Sequence, residues 1–245
     1  MGYWNKQKWP HRAAHAIVWS DRLKYARVVG RAGGLMRRLL AIIVVLVVAA
    51  GLSAPARADA AADCFGEDID RRIDGCTALI EQRDQSTDMS QVYAMRALAY
   101  SLKGRYSTAI QDYDMAIGIQ PDFAVALNNR AWAYFRWGKA AIGLPDVEKS
   151  LELSPTSPHT LDTRAHIRQA LGDPAGALRD YNKAMWYGGA RMIKLYQCGL
   201  TEARLYEGEL DGIWRPELTE ALEKCVRDKR CDPLPADEHC RAATS

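Results

Sequence analysis

The chain has 245 residues, with 33 Lys and Arg against 30 Asp and Glu and a formal net charge of +3. Ten of the basic residues but only one acidic residue lie within residues 1–58, so residues 59–245 carry 23 basic and 29 acidic side chains. Because nucleic-acid binding needs a basic patch or stripe, this distribution argues against a nucleic-acid partner.

A secretory signal is predicted at residues 36–58. Met36-Arg37-Arg38 is basic, residues 39–50 are uninterruptedly apolar, and Ala56-Arg57-Ala58 is a small-x-small cleavage site. The apolar run is shorter than the roughly 20 residues of a membrane span. We therefore expect cleavage after Ala58 and a periplasmic or secreted location in a bacterium.

Two further expectations concern the front of the chain. If the signal stays uncleaved, it anchors the protein, and the membrane is contacted only through this segment. Residues 1–35 show no clear period and are predicted to be a non-native or disordered extension, with translation starting at Met36.

Residues 59–89 are predicted to form an N-terminal capping segment. Ile73, Cys76 and Ile80 have a helical spacing that returns later in the chain as Ile110, Tyr113 and Ile117. A degenerate half-repeat at the end of a solenoid is common, because one of its faces meets water instead of another repeat.

Residues 90–191 contain the same pattern three times in succession. Such periodicity is typical of stacked supersecondary units that bury their apolar faces against one another. The pattern predicts three units of two helices each, at 90–123, 124–157 and 158–191. Recurring positions include Arg96 and Arg130, Gly104 and Gly138, Asp112 and Asp146, and Pro121 and Pro155, and the third unit keeps Arg164, Gly172 and Asp180.

The length of the unit and its small, aromatic, glycine and proline positions resemble those of the tetratricopeptide repeat. The resemblance implies an all-α solenoid of helical hairpins with capping helices, to which the residues after 191 add a small helical subdomain at the C-terminal end. It also implies a non-catalytic protein that binds a protein or peptide in a concave groove. The second unit departs from the family, since Gly143 replaces the usual alanine and Pro145 then falls inside a helix. That helix is expected to be bent or to start late.

The groove is expected along the first helix of each unit, by analogy with the family. Trp132, Phe135 and Arg136 are residue types that dominate binding hot spots, although the two aromatic rings have packing between helices as an alternative role. The family's clamp for a C-terminal carboxylate is not recognisable here, which disfavours a chaperone-tail partner. The predicted groove residues are Ala94, Leu98, Asn128, Trp132, Phe135, Arg136, Asp162 and His166.

No catalytic motif or metal site is predicted. The chain has no Gly-x-Ser-x-Gly, P-loop or His-Glu-x-x-His motif. His159, Asp162 and His166 share a helix face, but three ligands over two turns are a loose arrangement with no fourth partner. We therefore expect neither enzymatic activity nor a metal or other cofactor.

All six cysteines follow Ala58, and an even number in an exported chain favours disulfide bonds over metal ligation. Six cysteines allow fifteen connectivities, of which we expect the one that joins near neighbours. The expected pairs are Cys64 with Cys76, Cys198 with Cys225, and Cys231 with Cys240.

Residues 192–245 depart from the repeat and predict a cysteine-rich segment with helices at 192–205 and 217–226. The loop between them, Asp211-Gly212-Ile213-Trp214-Arg215-Pro216, resembles the small peptidoglycan-binding domain of bacterial cell-wall enzymes. The resemblance implies wall contact through Asp211, Trp214 and Arg215, and with it an alternative function in cell-wall association. The other interpretation is a subdomain that seals the last repeat.

Overall fold

A computed structural model describes residues 53–82, 87–234 and 240, with side chains from residue 59. This part of the chain contains nine α-helices and no strand, and the predicted all-α solenoid is confirmed. The predicted extension 1–35, and the predicted signal up to residue 52, lie outside the described residues. The helices are α1 Ser53–Cys64, α2 Ile69–Gln82, α3 Met89–Leu102, α4 Tyr106–Ile119, α5 Ala124–Arg136, α6 Ala140–Leu153, α7 Pro158–Leu171, α8 Pro174–Glu202 and α9 Pro216–Cys225.

None of these described helices has the length and apolar character needed to cross a bilayer. The first of them, α1, runs through Ala58, where cleavage was predicted.

The helices pair into hairpins because a glycine ends the first helix of each pair. Gly104, Gly138 and Gly172 have φ values of 72°, 76° and 87°, a left-handed conformation that glycine adopts at little cost. The residue after each glycine donates its amide proton to a carbonyl five residues earlier, as Lys139 does to Tyr134 at 2.8 Å. This Schellman-type closure turns the chain back on itself once in every repeat unit.

Successive helices pack in chain order from α1 to α8, so each hairpin lies against the next. Small residues at the helix crossings make this possible, since Ala97, Ala109 and Ala131 are fully buried. A Cβ atom built on Gly143 would lie 2.8 Å from the carbonyl oxygen of Ala131. The glycine that departs from the family pattern therefore lets α6 approach α5 closely.

The helix that contains Pro145 starts in register. α6 begins at Ala140, which occupies the same position in its unit as Tyr106, the first residue of α4. It then continues through the proline to Leu153. The expectation of a late start was therefore wrong.

Each of the three repeat hairpins carries the same partly buried ion pair. The guanidinium of the first helix donates two hydrogen bonds to a carboxylate of the second helix, with N–O distances of 2.7–2.8 Å. Such bidentate pairs fix geometry as well as contributing energy. The pairs are Arg96 with Asp112, Arg130 with Asp146, and Arg164 with Asp180.

The last long helix changes direction at Gly189, whose φ of 62° and ψ of −156° are not helical. Its second half carries Tyr196 and Leu200 into a core shared with Leu218 and Leu222 of α9. The C-terminal segment therefore packs directly on the third hairpin.

All six cysteines form disulfide bonds, but only one of the three predicted pairs is present. Cys64 bonds to Cys76, which joins α1 to α2. The other two pairs were predicted wrongly, because Cys198 bonds to Cys240 and Cys225 to Cys231. Cys231 pairs with Cys225, which is closer to it in sequence than Cys240, and Cys240 instead lies against α8, where it bonds to Cys198.

Candidate functional site

The predicted groove residues divide into a buried set and an accessible set. Trp132 and Phe135 of α5 are half-buried, Arg136 is exposed, and Leu98 of α3 is half-buried. These four side chains are therefore accessible to a binding partner. The remaining four, which are at most 5% exposed, are Ala94, Asn128, Asp162 and His166.

Aromatic rings form a continuous row from α5 through α7 to α8, with His166 at its centre. The imidazole contacts Trp132 and Phe135 on one side, with ring centroids 5.2 and 5.5 Å away, and Tyr181 on the other at 5.1 Å. The two aromatic residues of α5 therefore pack between helices, which was the alternative considered for them, while each keeps part of its surface accessible.

His166 is held between two aspartates. Its Nδ1 lies 2.9 Å from the carbonyl oxygen of Asp162 and 3.5 Å from the carboxylate of that residue, and its Nε2 lies 2.9 Å from Oδ1 of Asp232. Tyr196 donates a hydrogen bond to the Asp162 carboxylate. Burial by itself lowers the pKa of His166, but the two carboxylates outweigh it and raise that pKa to about 9. The buried imidazole is therefore charged at neutral pH.

The pKa values of the two carboxylates move in opposite directions. Burial raises the pKa of Asp162, in spite of the opposing charge on His166. The pKa of Asp232 is lowered, because contact with His166 outweighs partial burial. Asp232 therefore remains ionised and fastens the C-terminal segment to α7.

Gln169 holds a loop closed by the Cys225–Cys231 bond, which we call the cystine loop (residues 225–231). Its side-chain amide donates to the carbonyl oxygens of Cys225, Asp228 and Cys231 at 3.3, 2.8 and 2.9 Å. The side-chain oxygen of Gln169, Oε1, accepts a 3.0 Å hydrogen bond from the hydroxyl of Tyr181, which fixes the orientation of the amide. The loop is thus attached to the inner surface of α7.

A pocket of 310 Å³ lies where α5 and α7 meet the cystine loop and Asp232. Its lining includes three of the predicted groove residues, Phe135, Arg136 and His166. The rest of the lining was not predicted from the sequence and consists of Gln169, Ala170, Lys229, Arg230, Cys231 and Asp232.

The predicted wall-contact residues lie apart from this pocket, on the loop before α9. The Asp211 carboxylate accepts two hydrogen bonds from Arg215, at 2.9 and 2.6 Å, together with the amide proton of Ile213 and the side chain of Gln197. Contact with Arg215 lowers the pKa of Asp211 strongly. Asp211 and Arg215 therefore shape the loop, whereas Trp214 is 52% exposed.

The fold is a solenoid of helical hairpins with a pocket between α5, α7 and the cystine loop. Comparison with known families agrees, since a family model for the tetratricopeptide repeat matches residues 90–123. The chain therefore contains a tetratricopeptide repeat.

Curated relatives match about half of the chain. The Hsp70-Hsp90 organizing protein of Triticum aestivum is 34% identical over 111 residues, which are 45% of this chain and 16% of the relative. RNA polymerase II-associated protein 3 of Mus musculus is 28% identical over 126 residues, or 49% and 19%. Tetratricopeptide repeat protein 36 of Bos taurus is 29% identical over 128 residues, or 51% and 66%. The chain thus spans less than a fifth of the first two.

The prediction of a bacterial periplasmic or secreted location is wrong. The matched relatives are proteins of plants and vertebrates, and nothing among them indicates a bacterial periplasmic protein. The prediction depended on residues 36–58, of which the structure describes only the helix that starts at Ser53.

Proposed function

We propose that this protein binds a segment of another protein or a peptide on its concave surface, without catalysing a reaction on it. The observation that carries the proposal is the 310 Å³ pocket between α5, α7 and the cystine loop. Half-buried Trp132 and Phe135 offer aromatic surface beside the exposed cation of Arg136. Aromatic and arginine side chains of this kind carry much of the binding energy at protein interfaces.

The proposed organisation places three repeat units at 90–123, 124–157 and 158–191. A capping segment at 59–89 precedes them, and a C-terminal segment at 192–245 follows. The buried groove residues, among them Asp162 and His166, then act as the support of the binding surface. Leu98, Trp132, Phe135 and Arg136 provide the contacts.

The names of the relatives support a binding role. One relative is named as an organizing protein for Hsp70 and Hsp90, and another as a protein associated with RNA polymerase II. This chain covers only 16% and 19% of those proteins, so their partners are not assigned to it. We therefore propose that this chain binds a protein or peptide, and we name no partner.

Quantitative affinity purification with the full chain tests the groove. Trp132→Ala combined with Arg136→Ala should release the partner while the thermal unfolding curve shows that the fold survives. The matched control is Trp186→Ala combined with Arg179→Ala, which removes the same residue types from exposed positions outside the pocket. If the groove variant recovers the same proteins as the control, the groove assignment is wrong.

A second candidate function is glycan binding by the loop before α9. Trp214 presents 52% of its surface on a loop that the Asp211–Arg215 ion pair holds in shape, and an exposed, fixed tryptophan suits stacking on a sugar ring. Co-sedimentation with purified peptidoglycan tests this function. Binding that Trp214→Ala abolishes and Trp186→Ala preserves would support it, and a protein that stays in the supernatant would exclude it.

A further inference from the structure

We propose that the pocket selects acidic peptide segments and that the cystine loop supplies most of the charge that recognises them. This inference rests on the proposed groove function and specifies the chemical class of its partner.

The first observation is that cations concentrate at the pocket although residues 59–245 are acidic overall. Residues 59–245 carry six more acidic than basic side chains. Arg136 from α5 and Lys229 and Arg230 from the cystine loop nevertheless line one small pocket. Two of these three cations come from outside the repeats, so the inner helices alone do not create this charge.

The second observation is that the acidic groups near the pocket are already engaged. Asp232 is the only carboxylate among the lining residues, and it pairs with buried His166 at 2.9 Å. Asp228 lies 3.5 Å from Arg230. Within the described part of the chain, neither Arg136 nor Lys229 forms an ion pair with a carboxylate. Two of the three cations that line the pocket, Arg136 and Lys229, therefore have no ion-pair partner among the described residues.

The third observation is that the cationic loop is held in place. The Cys225–Cys231 bond closes it, and Gln169 binds three of its carbonyl oxygens. Gln169 is itself buried at 4% exposure and oriented by Tyr181. A fixed backbone limits the entropy lost when Lys229 and Arg230 engage a ligand, which favours specific recognition over diffuse attraction.

The size and lining of the pocket favour a peptide over other anions. At 310 Å³ it is at the small end of ligand pockets, which suits one or two side chains of an extended segment. Phe135 and Ala170 add apolar surface beside the cations. The expected ligand thus combines Asp or Glu side chains with an apolar side chain between them.

The binding experiment uses the full-length protein and three fluorescein-labelled twelve-residue peptides. The first alternates Glu with Leu, the second replaces every Glu by Gln, and the third replaces every Glu by Lys. Fluorescence anisotropy at about 0.05 and 0.2 M salt should show binding of the acidic peptide alone. Its affinity should decrease severalfold at the higher salt concentration, because screening weakens exposed charge pairs.

Two double variants remove the same charge from neighbouring positions, one pair that lines the pocket and one pair that does not. Lys229→Ala with Arg230→Ala should weaken binding of the acidic peptide at least tenfold. Lys224→Ala with Arg227→Ala removes two exposed cations that do not line the pocket, and should change the affinity less than twofold. Equal losses in both variants would show non-specific charge attraction and overturn the inference.

Other outcomes separate this inference from the groove proposal. Equal binding of the Gln peptide, or tighter binding of a single-stranded oligonucleotide, would overturn the acidic-peptide assignment. If acidic peptides fail to bind but Trp132→Ala with Arg136→Ala still releases the partner, the groove function stands and only the ligand class is wrong. If that variant releases nothing, the groove proposal itself fails.

Discussion

Nε2 of His166 lies 2.9 Å from Oδ1 of Asp232, which joins an inner helix of the solenoid to the C-terminal segment across 66 residues of sequence. The imidazole is 3% exposed, and it also faces the carboxylate of Asp162 at 3.5 Å. A charged histidine between two carboxylates thus fastens the C-terminal segment to α7. Since the contact involves a raised pKa, it makes the stability of this region depend on pH.

The stability of the protein should decrease as the pH rises from about 6.5 to 9. The pKa of His166 is about 9 in the folded protein against an ordinary value of 6.5, so its contribution is complete below pH 6.5 and is lost as the pH rises through 9. The shift corresponds to on the order of 3 kcal/mol. Urea unfolding at pH 6.5, 7.5 and 9 should show this loss, and His166→Gln should remove it.

Other groups affect stability at lower pH. Burial lowers the pKa of His159 to about 4, so its neutral form is favoured and stability should decrease as the pH falls from 6.5 towards 4. Asp232 has a lowered pKa, so its contribution is present above about pH 4 and is lost in more acidic solution. If the loss of stability between pH 6.5 and 9 is equal in the wild type and in His166→Gln, a group other than His166 causes that loss.

The ion pairs of the hairpins should contribute different amounts to the free energy of unfolding, according to how deeply the carboxylate of each pair is buried. Asp180 is 2% exposed at its side chain and accepts hydrogen bonds from both Arg164 and Arg168, whereas Asp146 is 13% exposed. Asp180→Asn removes the carboxylate from two partly buried guanidiniums, so we expect a loss of roughly 3–4 kcal/mol, against about 1–2 kcal/mol for Asp146→Asn. Asp122→Asn, at an exposed pair 4.0 Å from Lys149, should cost under about 0.5 kcal/mol. Urea denaturation measures all three, and equal losses would contradict the dependence on burial.

The sequence predicts the repeat well because its determinants are local and recur. Gly104 and its counterparts mark the hairpin turns, and the recurring apolar positions mark the buried faces. The ion pairs were within reach of the same reasoning, since Arg96 and Asp112 both return in each of the next two units, always with the same separation along the chain. That constant separation was the signal that the sequence analysis left unused.

The pocket could not be predicted from the sequence, because the residues that line it are far apart in the chain and meet only in the folded protein. Nothing near Asp232 in the chain indicates that it contacts a histidine 66 residues earlier. The predicted pairs, Cys198 with Cys225 and Cys231 with Cys240, also omitted the short loop between Cys225 and Cys231 that lines the pocket. Once Cys225 bonds to Cys231, the loop between them lies against α7, where Gln169 binds its carbonyl oxygens.

Gly143→Ala should destabilise the protein, although alanine is the better helix former. The added methyl group would lie 2.8 Å from the carbonyl oxygen of Ala131, which belongs to the backbone and cannot rotate away. We expect a loss of about 1–3 kcal/mol. Gly118→Ala is the matched control, because a Cβ there meets no atom within 4 Å, and it should stabilise by up to about 1 kcal/mol. Thermal unfolding of both variants decides the matter, and stabilisation by both would show that α6 is not packed tightly on α5.

The disulfide between Cys198 and Cys240 should contribute more to stability than the one between Cys225 and Cys231. The first spans 42 residues and the second spans 6, and a longer closed loop restricts the unfolded chain more strongly. Loop-closure entropy gives about 4 kcal/mol for the long loop and about 2 kcal/mol for the short one. Double replacement of each pair by serine, followed by urea denaturation, measures both values.

The two double-serine variants should also differ in their affinity for the acidic peptide, but the variant that loses less stability should lose more affinity. Loss of the Cys225–Cys231 bond releases the backbone that carries Lys229 and Arg230, so peptide affinity should decrease even though stability changes least. Loss of the Cys198–Cys240 bond leaves that short loop closed and held by Gln169, so a folded variant should keep its affinity. If the more destabilised variant is also the weaker binder, the cystine loop contributes to the pocket only through overall stability and not by positioning its cations.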